Sequence, residues 1–362
     1  MLTPTRQKID TSLVLFLQRV KSNYPFDLIH PKLYESIQEF ILRKGKRLRP
    51  TLLVFSYKGY STPGRRISPS IYYVSTCIEL LHTFMLIHDD IIDRSKLRRG
   101  LPTLHRMLAK VAKTENQERF GNDLGIIAGD IIYALAIDAF LSVDAPPHHK
   151  EKALKYFIQT AVLTAMGEFI DTVHGTTKTN KIHESDVLLN YTLKTARYTF
   201  DCPLVVGAIL AGAQSKEIPL LSRFGLLMGQ AFQIQDDIIG IFSTQKNIGK
   251  SILTDIAESK KTILVCHAYR CLRGREKKNF LACFNKKHKT FSDLLAIRKI
   301  FLDSGSLDYS IREIQKRLHK AQAILPKLEM RNKYRTQIEK IFSQLYQPSQ
   351  QIAEHYSIPF RL

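Results

Sequence analysis

The chain has 362 residues, 44% of them hydrophobic, which is enough for a substantial core and excludes wholesale disorder. Lys and Arg number 54 against 33 Asp and Glu, a formal charge of +21 that calls for an anionic partner: nucleic acid, a membrane surface or a phosphorylated small molecule. No uninterrupted stretch approaches the ~18 apolar residues of a membrane span, and the patch from Leu13 to Leu17 is too short and too polar at its flanks for a signal peptide. The cysteines, none in a CxxC spacing, read as reduced thiols of an intracellular, cytoplasmic protein.

Periodicity is helical almost throughout. Leu33, Ile37, Phe40 and Ile41 fall at i, i+4, i+7 and i+8, one face of a helix. Apolar-rich runs follow over 69–93, 122–143, 151–174, 186–213, 219–242 and 261–272, separated by breakers such as Gly100-Leu101-Pro102 and Ala145-Pro146-Pro147. Strand-like alternation is nearly absent, and no Ser/Gly-rich linker marks a boundary. These features predict one large all-α domain of ten or more helices over 1–347, with a short tail over 348–362.

His88-Asp89-Asp90-Ile91-Ile92-Asp93 closes the first long run. Asp89 and Asp93 are four apart, so their carboxylates share a helix face and repel. A hard cation such as Mg²⁺ resolves that conflict and leaves coordination places for water and phosphate; the plain alternative is a solvated acidic helix end. A second cluster, Phe232-Gln233-Ile234-Gln235-Asp236-Asp237, lies on another apolar helix, where a buried carboxylate pair is costly unless paired or metal-bound. Two such helices could face each other across a bundle core. Cations are interleaved with these motifs: Arg43, Lys44, Lys46, Arg47 and Arg49 around Gly45, then Arg98-Arg99, Lys194, Lys250 and Lys260-Lys261. Any one set alone reads as a solvated basic face. All of them together predict a Mg²⁺–diphosphate substrate and a second anionic group held directly by the protein.

At this point the chain resembles the trans-isoprenyl diphosphate synthases, the polyprenyl synthetase family. The resemblance runs through Gly45-Lys46-Arg47-Leu48-Arg49-Pro50, His82 to Asp93, Arg98 to His105, Lys194-Thr195-Ala196, Phe232 to Asp237, Gly249-Lys250, and Asp255 with Lys260-Lys261-Thr262. It implies the isoprenoid synthase fold, a helical bundle around a central apolar cavity, and a homodimer. It implies an allylic diphosphate held through Mg²⁺ on Asp89, Asp93 and Asp236, with Arg98, Lys194, Lys250 and Lys260 near its phosphates. Isopentenyl diphosphate would lie on Gly45, Lys46, Arg49, His82 and Arg99, and Thr195 and Gln233 near the carbocation. Phe84 and Met85, five and four before Asp89, would floor the pocket and set product length. A single aromatic there resembles archaeal-type short-chain enzymes, which implies geranylgeranyl diphosphate as product, with farnesyl diphosphate as the alternative.

The pattern departs from the family in places. Gly240 stands where a third Asp is usual, Lys44 where Gly is common, and Glu168 where Gln is common. Gly240 leaves open a non-catalytic subunit of a heteromeric synthase. A terpene cyclase would share the first acidic motif but would not need Lys46, Arg49 and Arg99. A nucleic-acid binder would use the basic run from Arg270 to Lys289, but that run lacks aromatic interleaving, so no nucleic-acid partner is expected. The same run predicts weak contact with an anionic membrane surface.

Overall fold

The computed structural model of the protein describes residues 2–63, 68–242, 259–286 and 288–360. Lys250, Gly249 and Asp255 of the predicted series lie outside the described residues, as does Lys287. The all-α expectation holds: among the described residues the chain is helical nearly throughout, and the only strand pairing sets Leu97 against Pro102 and Arg98 against Leu101. The predicted runs become the helices Pro31–Leu42, Ser70–Ile92, Gln117–Leu141, Pro147–Thr176, Cys202–Ala211, Glu217–Phe242 and Ile263–Cys271. The chain divides into two compact units, one of Met1–Ile158, Pro203–Ile218 and Met330–Tyr334, the other of Gln159–Cys202, Pro219–Glu329 and Arg335–Leu362.

In the first unit the Ser70–Ile92 helix packs closely along Gln117–Leu141. The approach needs Gly129, because a Cβ there would lie 2.3 Å from Nε2 of His88. Both helices are long and apolar enough to cross a membrane by length and composition, which corrects the expectation from uninterrupted runs. Buried polar residues such as Thr76, Glu79 and His82 interrupt the run without lowering its average below that of a span. The apolar window is 67% buried in Ser70–Ile92, a core helix, but only 44% in Gln117–Leu141, which leaves Ile126, Ile127 and Leu141 exposed.

In the second unit the Glu184–Asn190 helix runs on into Tyr191–Asp201, which is wound with i→i+5 hydrogen bonds, as when Cys202 N–H reaches the Arg197 carbonyl. Two glycines let this segment meet its neighbours backbone to backbone. A Cβ at Gly167 would lie 2.4 Å from the Lys194 nitrogen, and one at Gly229 2.3 Å from the Ala196 Cα. The stretch after Gln347 opens as a packed helix, Gln347–His355, with Ser349 and Ala353 buried. Gln235 holds it, donating to the Leu345 carbonyl at 2.9 Å and accepting from the Ser349 hydroxyl at 2.9 Å.

Candidate active site

The first cluster sits at the end of the Ser70–Ile92 helix and in the hairpin that follows. Asp89 is partly exposed while Asp90 is completely buried. Arg98 reaches back from the hairpin to both, donating to Asp89 at 3.0 Å and through Nε to Asp90 at 2.8 Å. Burial alone would lower the pKa of this guanidinium, but Asp90 and then Asp89 reverse the effect and hold it above its ordinary value. Asp90 is therefore a positioning carboxylate: it anchors Arg98 beside Asp89, a role the bare motif did not single out. Asp93 ends the helix, its N–H bonded to the Asp89 carbonyl at 2.8 Å, so both carboxylates of the spaced pair belong to the final turn.

His82, Arg98 and Arg99 line one cleft together with Arg47 and Glu79. Burial, then Arg49 and Arg99, hold the His82 imidazole well below its ordinary pKa, so it is neutral and an acceptor-capable ring among cations. Arg99, at a left-handed φ of 57°, donates to the Lys44 carbonyl at 2.9 Å. Gly45 makes room for it, since a Cβ there would lie 2.8 Å from Arg99 Nη1. Lys46 is exposed.

Two cations of the basic cluster prove structural. Arg47 is buried against Glu79 at 2.5 Å and Asp10 at 2.8 Å, and Arg43 is buried on Glu39 at 2.8 Å while donating to the Pro102 carbonyl at 2.8 Å. Both fix the loop that presents Gly45, Lys46 and Arg49. Phe84 packs tilted against His88 at 4.7 Å and against Tyr133 of the Gln117–Leu141 helix at 4.9 Å between ring centroids. Tyr133 escaped notice in the sequence, although its i−4 spacing from Gly129 puts it on the same close-packed face.

The second cluster lies in the other unit. Lys194 Nζ pairs with Asp171 at 2.7 Å and Glu168 at 2.9 Å, and Asn190 donates to Asp171 at 2.8 Å. Burial would raise the Asp171 carboxyl, but Lys194 and Lys260 reverse this and hold it below its usual value. Thr195 donates to Gln233 Oε1 at 2.6 Å, Gln233 Nε2 donates to Asp237 at 3.0 Å, and the Tyr191 hydroxyl donates to the other Asp237 oxygen. Asp237 thus orients this relay. Asp236 is exposed and Asp237 half-buried, against the expectation of a buried pair. Tyr191 and Asn190 were not predicted, their i, i+3 and i, i+4 spacing to Lys194 being the only signal; Asp237 was read as half of the acidic pair, without this role.

Accessible carboxylate oxygens on Asp89, Asp93 and Asp236 suit a hard cation better than nitrogen- or sulfur-seeking metals. Among the described residues no three candidate ligands are already gathered around one point.

Acidic helix ends bound to arginine and lysine define an all-α enzyme class that handles phosphorylated substrates. The chain belongs to the polyprenyl synthetase family, matched over residues 30–301, and is a short-chain trans-isoprenyl diphosphate synthase. It is 34% identical over 288 residues to a geranylgeranyl diphosphate synthase of Sulfolobus acidocaldarius, covering 79% of this chain and 81% of the relative. It is 32% identical over 289 residues to a geranylfarnesyl diphosphate synthase of Aeropyrum pernix, covering 78% and 84%. A solved geranylgeranyl pyrophosphate synthetase from Pyrococcus horikoshii matches with a TM-score of 0.80 at 26% identity, over 95% of this chain and 96% of that one.

Proposed function

We propose that the chain condenses isopentenyl diphosphate with an allylic diphosphate and stops at geranylgeranyl diphosphate. The similarity to the Sulfolobus acidocaldarius enzyme carries the product assignment most directly. Mg²⁺, when bound on Asp89, Asp93 and Asp236, would supply the charge that stabilises the departing diphosphate. Lys194 and Lys260 add point charges for that anion, and Asp171 with Glu168 keeps Lys194 in place. Arg98, anchored by Asp90, balances Asp89 in the absence of substrate and is the cation nearest to hand for a phosphate there. The Thr195 hydroxyl donates a hydrogen bond to Gln233, which leaves the Thr195 oxygen lone pairs for a neighbouring carbocation. Isopentenyl diphosphate would lie on Lys46, Arg49, Arg99 and neutral His82, near Gly45; Lys250 would complete the phosphate contacts. The C–O bond breaks to leave an allylic carbocation, the double bond attacks that carbon, and the proton lost from the new cation goes to the diphosphate.

The Phe84–Tyr133 contact supports a blocked pocket floor, with Met85 beside it. The geranylfarnesyl relative from Aeropyrum pernix favours a twenty-five-carbon product as the second reading. A homodimer is supported by an exposed apolar stripe on the Pro147–Thr176 helix: Ile158, Val162, Met166, Phe169 and Val173 recur every three or four residues. We place the activity in the cytoplasm, with weak attraction to anionic membrane surfaces through the basic run. Labelled isopentenyl diphosphate offered with dimethylallyl, geranyl or farnesyl diphosphate and Mg²⁺ tests the reading; no extraction-stable labelled lipid from any primer would exclude it.

A further inference from the structure

The net charge leaves cations that the proposed reaction does not use. One group lies in the second unit, where an open cleft of about 560 Å³ is lined by Lys178, Thr179, Ser259, Lys261, Tyr269 and Asn285 among others, with no Asp or Glu among the described residues of its wall. Lys261 is its centre. Only 8% of this residue is exposed, yet its ammonium meets no carboxylate among the described residues: it donates to the Ser259 carbonyl at 2.9 Å and rests 5.3 Å from the Phe284 ring centroid.

Lys289 approaches the same point, donating to the Ser259 hydroxyl at 2.8 Å and lying 5.8 Å from the same ring. Burial, and then the like charge of Lys289, lower the affinity of Lys261 for its proton. Thr179 adds a hydroxyl that is buried and has no hydrogen-bond partner, in a residue only 5% exposed. Lys178 is exposed at the rim and carries no ion pair among the described residues. A buried ammonium facing a like charge, beside a buried hydroxyl without a partner, costs free energy that a bound anion would offset.

We propose that this cleft is a second anion site, which binds the phosphate or diphosphate end of a ligand through Lys261, Lys178 and Thr179. A phosphate offers several acceptor oxygens to ammonium and hydroxyl donors at once, which a chloride or a single carboxylate does not. The site shares the 259–261 segment with the machinery of the proposed reaction. Lys260 acts on Asp171, while its neighbour Lys261 faces the cleft. An occupied cleft therefore pins the segment that carries Lys260, so the ligand would tune turnover as well as bind. This coupling rests on the proposed role of Lys260; the binding itself does not.

The full chain, kept in EDTA so that no divalent cation loads the carboxylates, is titrated calorimetrically with inorganic pyrophosphate. Lys261→Met keeps the apolar stem and Lys178→Ala alters only an exposed residue, so at least one variant stays folded by circular dichroism. Each is expected to weaken one class of binding by about tenfold, the effect of one charge-assisted hydrogen bond, whereas Lys260→Ala leaves that class in place. Vesicles of phosphatidic acid in phosphatidylcholine identify the source. Sedimentation with the vesicles that Lys261→Met abolishes points to a lipid headgroup, and pyrophosphate binding without sedimentation points to a soluble phosphate. Isotherms and sedimentation unchanged in both folded variants would overturn the proposal.

Discussion

Gly167→Ala offers a sharp test of how the fold sets the second cluster. The added Cβ would meet the Lys194 nitrogen at 2.4 Å, its Cα at 2.7 Å and the Leu193 carbonyl carbon at 2.8 Å, all backbone atoms that cannot rotate away. Ordinary contact begins at 3.4 Å, so the Pro147–Thr176 helix and the π-wound segment must part by about 1 Å. Overpacking of this kind costs roughly 1–3 kcal/mol, offset by about 0.5–1 kcal/mol from the better helix propensity of alanine. The net loss is about 1–2 kcal/mol, a fall in Tm of roughly 2–8 °C for a unit of this size. The larger effect is positional. Lys194 Nζ lies 2.7 Å from Asp171, and a shift of about 1 Å at a reacting centre can lower kcat/KM about 10²-fold. Condensation kinetics and thermal unfolding are measured side by side, with exposed Thr172→Ala on the same helix as control. A variant whose Tm falls while kcat/KM stays within twofold of wild type would refute the claim that this contact positions Lys194.

Removing the aromatic floor with Phe84→Ala is expected to lengthen the main product by one or more five-carbon units, read by chromatography after dephosphorylation; an unchanged distribution rejects the floor. Phe169, 71% exposed and the most exposed residue of the apolar stripe, is expected to carry the subunit contact. Phe169→Glu should sediment at the 41.6 kDa of one chain and wild type at twice that, and equal masses for the two would remove the stripe from the interface. Burial, then Arg106, push His105 down to about 4, with its Nδ1 buried and unpartnered. The unfolded chain therefore binds more protons between that value and the ordinary 6.5, so this contribution to stability is complete above pH 6.5 and is lost as pH falls towards 4. Urea midpoints at pH 7.5, 5.5 and 4.5 should fall less steeply for His105→Asn than for wild type.

Helical periodicity made most of the architecture readable, because an apolar face repeating every 3.6 residues survives in the sequence whatever the helix packs against. Asp89 and Asp93 stood out for a related reason, since their spacing alone puts both on one helix face, whereas Lys194, Thr195 and Gln233 stood out only through the resemblance to the family. What separated Arg47 from Arg98 and Arg99 was not readable, because only the tertiary fold brings Glu79 and Asp10 to Arg47; for Arg43 the local cue was Glu39, four residues earlier. Pairings across the chain, such as Phe84 with Tyr133 or Tyr191 with Asp237, leave no local trace either. The π-wound stretch Tyr191–Asp201 passes for ordinary helix, since its residues are unremarkable helix formers and its winding follows from the neighbours that enclose it. Likewise, Gln235 looks like part of the acidic motif, yet its amide belongs to the C-terminal helix.

The central claim is a prenyl transfer that stops at twenty carbons. Purified protein, farnesyl diphosphate, ¹³C-labelled isopentenyl diphosphate and Mg²⁺, analysed by mass spectrometry, test it most directly. The predicted result is one labelled five-carbon addition to the fifteen-carbon primer, giving geranylgeranyl diphosphate as the dominant product. Primer recovered unextended, or hydrocarbon formed without incorporation of label, would contradict it.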